Sequence, residues 1–326
     1  MSQFTQFTGG NASFPSSTQI LTASTTVVTQ AAGFYQFFVV GAGGSGGVAA
    51  GSNFNATGIT ASATGGGAGG TSLKTAYIAA GQTIVITLGA GGTAPSTANS
   101  TVGDAYNGNS GGITTVVGGG VSITCNAGAG GKSSVNAVAS GVIGGNATGG
   151  DFNNTGGSSG NANGGGTGGG AIGLFQTGFG SNSSSFNIPS GGGGTGSAGS
   201  SNSGGQSYDL AVTSIGALVT TIAGVRFAGS PGSQPGNQNS VVNASTFGAG
   251  GTAGFGDSQQ NTAGAGGFGG GGGGAGRLGY NQMIAGAAGS GGGSGSAAAF
   301  NNNDQALNAF GKAGGSGAVI FSYLGP

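Results

Sequence analysis

Phe37-Phe38-Val39-Val40-Gly41-Ala42-Gly43-Gly44-Ser45-Gly46-Gly47 holds the problem this chain poses. Large apolar residues run directly into a tract with no side chain bigger than a hydroxymethyl. The first part belongs to residues 34–40 (FYQFFVV), bounded by Gly33 and Gly41 and apolar on both alternations, which suits a strand buried on both faces. The second part has almost no side chains with which to build a core. Whatever orders it must be the backbone.

Outward from that junction, further strands are legible. Residues 18–30 (TQILTASTTVVTQ) are rich in β-branched side chains. Residues 83–88 (TIVITL) give the clearest strand, closed by Gly89, and residues 73–78 are bounded by glycines. Residues 113–117 and 121–125 read as two strands around a Gly118-Gly119-Gly120 turn, and residues 318–323 (AVIFSY) form a last strand. Asn107-Gly108 reads as a tight turn. No amphipathic helix pattern is present. Beyond Gly128 glycines come in runs, as at 164–170, 191–194 and 269–274. Residues 208–228 interrupt them, either as a hairpin turning near Gly216 or as a short buried helix; their Val, Thr and Ile content favours strands.

Glycine is a poor resident of helix or sheet interiors, by about 0.5–1 kcal/mol relative to Ala. Collagen needs Gly at every third position and abundant Pro, but this chain has six Pro and no strict period. The regular option left is a left-handed helix of the polyproline-II type, with three residues per turn and no internal hydrogen bonds. Several such helices side by side can satisfy one another's N–H and C=O groups, because glycine has no Cβ to hold the backbones apart. The expected fold is therefore mostly β plus non-regular structure, with little or no α-helix. A β-sandwich-like base, closed by N- and C-terminal strands, carries a bundle of polyglycine-II helices. The expected division is 1–30 as attachment segment and first strand, 31–127 as β-rich base with glycine loops, 128–316 as polyglycine-II bundle with the 208–228 insert, and 317–326 as closing strand.

Composition narrows the chemistry. Of 326 residues 86 are Gly, only 3% are charged, and Glu, His and Trp are absent. Five cations cannot neutralise a phosphate backbone, so no nucleic-acid partner is expected. Without His and Glu the usual general bases and most metal ligands are missing, so neither catalysis, metal nor cofactor is expected. Cys125 is the single cysteine, which excludes an internal disulfide. The opening MSQFTQFTGG lacks the pattern of a secretory signal, and no apolar stretch is long enough for membrane insertion.

Several motifs dissolve in this composition. Gly41 to Gly46 spell GxGxxG after a strand, but no helix pattern follows and the first acid is Asp104. Asn126 to Ser133 (NAGAGGKS) nearly spell a P-loop, with Asn126 in place of the first Gly; the plainer reading is a turn with an exposed Lys132. Asp151 and Asp257 follow Gly without a calcium-binding nonapeptide period. The five Asp are scattered and read as turn residues rather than a glycosidase pair. Arg226 and Arg277 read as partners of Asp or of carbonyls.

The strand segments and their glycine punctuation resemble the glycine-rich domain of tail-fibre and other virion-surface proteins of phages and large DNA viruses. The resemblance rests on Asn11-Ala12-Ser13-Phe14-Pro15, on residues 37–47, on residues 79–92 (AAGQTIVITLGAGG), on Ala127-Gly128-Ala129-Gly130-Gly131, and on Gly317-Ala318-Val319-Ile320-Phe321-Ser322-Tyr323. The middle region is similar to phage adhesins with polyglycine-II sandwiches. The resemblance implies a virion-surface protein with a host receptor, other virion proteins and copies of itself, as a homotrimer, for partners. It carries over no catalytic residues. A neutral glycan is bound by flat rings beside amides and hydroxyls. The receptor-contact candidates are thus Phe152, Asn153, Asn154, Phe175, Phe179, Phe186, Phe300, Asn301, Asn302 and Asp304, with most other aromatics expected in the core. Two other functions stay open: a purely structural fibre, spike or capsid decoration, and ice binding, which calls for a regular triplet repeat that this sequence lacks.

Overall fold

The computed structural model describes residues 18–51, 61–99, 103–163, 165–173, 176–180, 192–193, 198–199, 221–222, 225–226, 251, 260–278, 282–300 and 308–326. Its regular structure is all β, with no helix among the described residues. Two five-stranded antiparallel sheets lie at one end. The first runs in the order Thr18–Leu21, Ala318–Gly325, Gly33–Val40, Thr71–Ile78, Phe152–Asn154. The second runs Ala147–Thr148, Val121–Cys125, Thr114–Gly118, Thr83–Thr87, Thr25–Val28.

The strand Gly33–Val40 is buried on both faces over its last four residues, for two different reasons. Tyr35, Phe37 and Val39 join Ile84, Ile86, Val116, Ile123 and Phe321 in a core shared with the second sheet. Phe38 and Val40 pack with Ile320, Ala68 and Ile172 on the other side. Each fully buried large side chain is worth about 1.5–3 kcal/mol. The Tyr35 ring stacks on Phe321 at 5.5 Å, and its hydroxyl donates to the Ala31 carbonyl at 2.7 Å.

Residues 18–30 are not one strand. The chain leaves the first sheet after Leu21 and enters the second at Thr25, where Thr25–Val28 pairs with Thr83–Thr87. Ser24 marks the crossing, since its hydroxyl accepts the Leu88 N–H at 2.9 Å. The turn expected at Gly118 to Gly120 is a two-residue hairpin. Gly118 pairs with Val121, and Gly119 and Gly120 have φ of 60° and 82°, as a mirror-image turn requires.

Residues 41–47 leave the first sheet and stop behaving as a strand. Gly41, Gly44 and Gly47 donate to the carbonyls of Gly70, Gly67 and Thr64 at 2.8–3.0 Å. Ala42 and Ser45 donate to Gly112 and Asn109, and Gly43 to Gly315. Donors three residues apart therefore serve one neighbour, where a strand would repeat every two. The carbonyls of the same segment accept from Gly92, from Gly128 and Gly131, and from Ser294 and Ala297, so six other segments surround it. The step of three recurs in Asn126 and Ala129 to Asn146 and Ile143, in Gly169 and Ile172 to Gly272 and Gly269, and in Gly314 and Gly317 to Gly92 and Gly89. Glycine is required by contact here. A Cβ at Gly44 would fall on the Ala129 carbonyl, one at Gly66 on that of Gly44, and one at Gly293 on that of Gly66.

Beyond the glycine segments lie sheets of small residues. Ala275–Leu278, Ala297–Phe300 and Val48–Gly51 pair in parallel, as do Gln260–Thr262, Gln282–Ile284 and Asn308–Phe310. Their cores are mostly Ala, with Val48 and Met283 the larger members. Fully buried hydroxyls sit among the glycine segments. Ser294 Oγ accepts the Gly46 N–H at 2.8 Å and donates to the Lys312 carbonyl at 2.7 Å. Thr167 Oγ1 accepts the Gly65 N–H at 3.0 Å, and Ser296 Oγ the Thr167 N–H at 2.9 Å.

Hydrogen bonds cross the expected 127/128 boundary in both directions. Residues 41–47 and 64–70 share one glycine layer with residues 166–173 and 291–297, and Phe152–Asn154 is a strand of the first sheet. Asn107-Gly108 is not a tight turn: neither residue has positive φ, and Gly108 donates to Gly131 at 2.8 Å from an extended segment. Of residues 208–228, Thr221–Ile222 and Val225–Arg226 pair antiparallel, and a turn near Gly216 lies outside the described residues.

Candidate functional site

The ten contact candidates divide between two places. Phe152, Asn153 and Asn154 form the edge strand of the first sheet, opposite Leu73, Ser72 and Thr71. The Phe152 ring is 65% exposed and therefore open to a ligand. Asn153 is committed to the fold: its carbonyl oxygen accepts the Ser72 hydroxyl at 2.9 Å and the Gly150 N–H at 3.1 Å, and its amide donates to the Gly150 carbonyl at 2.9 Å. Phe179 is half-buried and near this edge, since Gly178 donates to the Thr155 carbonyl at 2.7 Å. Phe300 ends a strand at the far side of the glycine layer, paired with Leu278 and Gly51. Phe175, Phe186, Asn301, Asn302 and Asp304 lie outside the described residues.

The edge strand is held by charge. Lys74 Nζ meets Asp151 Oδ1 at 2.6 Å, and Asp151 Oδ2 accepts the Thr75 N–H at 2.8 Å. The hydrogen bond from Lys74, with that from Thr75, holds the Asp151 carboxyl below its ordinary range. Burial pushes the Cys125 thiol far up, and the thiol donates to the Val39 carbonyl at 3.4 Å. Among the described residues no three His, Cys, Asp or Glu stand together as metal ligands.

The backbone donors of the two glycine motifs are largely committed within the chain, which leaves no cradle of N–H groups for a phosphate. Every N–H from Gly41 to Gly46 is bonded within the chain. In the near P-loop, the N–H groups of Asn126, Gly128, Ala129, Gly131 and Lys132 are bonded as well.

Two exposed surfaces were not singled out from sequence. Phe34 and Tyr77, paired across strands on the outer face of the first sheet, meet edge to face at 5.5 Å and are 47% and 60% exposed. The outer face of the second sheet carries Thr87, Thr115, Thr124 and Thr148 in one cross-strand row. Beside it runs the row Thr26, Val85, Val117 and Ser122. The alternation in TIVIT and TTVVG was the available signal, since each strand buries one set of β-branched residues and shows the other. Neither family models nor curated protein sequences match this chain.

Proposed function

We propose that this chain is a non-enzymatic virion-surface fibre or adhesin protein that attaches its particle to a host-cell surface glycan or outer-membrane protein. In this reading the glycine segments are polyglycine-II helices, and the two sheets are a sandwich closed by Thr18–Leu21 and Ala318–Gly325. The step of three in the hydrogen bonds is the observation that carries it. Three residues complete one turn of such a helix, so residues i, i+3 and i+6 face the same neighbour. Seven residues at about 3.1 Å each would hold the far strands about 20 Å from the sheets.

That arrangement favours display. The strands ending at Gly51, Leu278 and Phe300 are adjacent and parallel, so their C-terminal ends lie side by side. In sequence Phe300 is followed by Asn301, Asn302 and Asp304. A neutral support whose sequence sets rings beside amides suits an uncharged polymer.

The test is adsorption competition. Purified chain is added to host cells before the parent particle, and bound particles are counted. Dose-dependent blocking is expected, weakened by Phe300→Ala. Folded protein that never blocks would sink the adhesin reading and leave the purely structural one.

A further inference from the structure

The strands of the second sheet continue, in the same lateral order, into segments of the glycine layer. Thr83–Thr87 runs into residues 89–92, residues 108–112 run into Thr114–Gly118, Val121–Cys125 runs into residues 126–131, and residues 141–145 lead to Ala147–Thr148. Those four glycine segments bond side by side in the same order as the strands. Among the described residues, five of the twelve exposed large hydrophobic ones lie along this surface: Val28, Val85, Val117, Ile113 and Ile143. The rest is Thr, Ser, Asn, Ala and Gly, with Lys132 at the far end.

We infer that this face packs against the same face of a second copy of the chain. Its area suffices for a small standard interface: four strands with their glycine segments, at about 4.8 Å by about 30 Å, give on the order of 600 Å². A standard interface takes about 800 Å² from each partner. Its chemistry is self-complementary, because methyls and hydroxyls of β-branched residues meet their like without leaving a charge unpaired. Its shape fits as well, since sheets pack face to face about 10 Å apart when neither presents a large projecting side chain. A surface that recognises itself gives an isologous two-fold pair rather than a ring of three. The inference is independent of the adhesin reading, because assembly is measured without cells.

The intact chain is followed by sedimentation velocity and native mass spectrometry across micromolar concentrations. A dimer is expected. Val117→Lys, and separately Val85→Lys, should raise the dimer Kd by about a hundredfold, because each copy would bury an unpaired ammonium. Both positions are half-exposed, so the fold should persist, with unchanged far-ultraviolet circular dichroism and Tm. Tyr77→Lys, on the other sheet, should leave the Kd alone. A chain that stays monomeric, a trimer indifferent to both substitutions, or a dimer broken by Tyr77→Lys instead would overturn the inference.

Discussion

The two sheets and the glycine layer solve the same problem with opposite materials. In the sheets, Phe37, Ile86, Ile123 and Phe321 fill a core of side chains, and the peptide groups are tied off in ladders around it. In residues 41–47 and their neighbours the peptide groups are the core, and a side chain is an obstruction. A net gain of about 0.5–1.5 kcal/mol per hydrogen bond barely matches the 1–2 kcal/mol of ordering each residue. The glycine layer is thus marginal by itself. It is clamped by sheets at both ends, so its stability is largely borrowed. The lesson is directional: the sheets should tolerate loss of atoms better than the glycine layer tolerates their gain.

The largest effect should come from adding atoms where there is no room. Gly44→Val would drive its Cβ into the backbone of Ala129, which no rotamer change can relieve. We expect a loss above about 5 kcal/mol, enough to abolish the cooperative melt seen by circular dichroism. A folded Gly44→Val protein would break the comparison outright. The contrast is Gly120→Asn, at a hairpin position with φ of 82° and nothing within reach of a Cβ. That change should stay within about 1 kcal/mol, since Asn accepts the left-handed conformation. Next in size is removal from the side-chain core. Phe37→Ala should cost about 3–5 kcal/mol in denaturant melts, through lost burial and the cavity left behind.

This contrast also explains what could be read from the sequence. The strands at 34–40, 83–88, 121–125 and 318–323 announced themselves through β-branched and aromatic residues, and all four are present. The double burial of Phe37 to Val40 was legible because both alternations are apolar. The break at Thr22 to Ser24 was not, because a strand changing sheets keeps the same composition. The glycine segments were legible as a class but not in their pairing. GG runs are nearly interchangeable along the chain, so nothing in sequence says that Gly44 donates to Gly67. For the same reason the 127/128 boundary followed glycine density while the hydrogen bonds did not. At the candidate site, Phe152 could be found as a ring beside amides. The commitment of Asn153 to Gly150 and Ser72 could not, since a turn amide and a ligand-binding amide look alike in sequence.

Hydroxyls within the glycine layer give a smaller effect and sharpen the comparison from inside. Ser296 Oγ accepts the Thr167 N–H at 2.9 Å and donates to the Ala63 carbonyl at 2.8 Å, fully buried. It reinforces a direct bond, because the Thr167 N–H also donates to the Ala63 carbonyl at 3.1 Å. Ser296→Ala keeps the Cβ and leaves that direct bond in place, so the loss should be that of one buried hydrogen bond, about 0.5–1.5 kcal/mol. If the melt is unchanged, the direct bond alone suffices and the hydroxyl adds nothing to the layer.

The smallest effect is electrostatic and confined to the sheets. Asp151 is held below the ordinary carboxyl range by Lys74 and the Thr75 N–H. A group whose pKa is lower folded than unfolded adds stability above the unfolded value, near ~3.9, and loses it as pH falls through the folded one. Both side chains of the pair are substantially exposed, 30% and 42%, so the contribution at neutral pH should stay below about 1 kcal/mol. Asp151→Asn should therefore lower the neutral-pH Tm slightly and flatten its decline in acid. The rest of the molecule has little through which acid could act, because the chain has five Asp and no Glu, and residues 41–47 and 64–70 contain no titratable side chain. Acid should loosen the Phe152–Asn154 edge while leaving the glycine layer intact. Hydrogen exchange at low pH can resolve that order, with faster exchange at residues 72–75 and 151–154 than at residues 41–47 as the expected result. Equal acceleration in both regions would mean that the layer leans on the edge strand and that the two parts are not separate in stability.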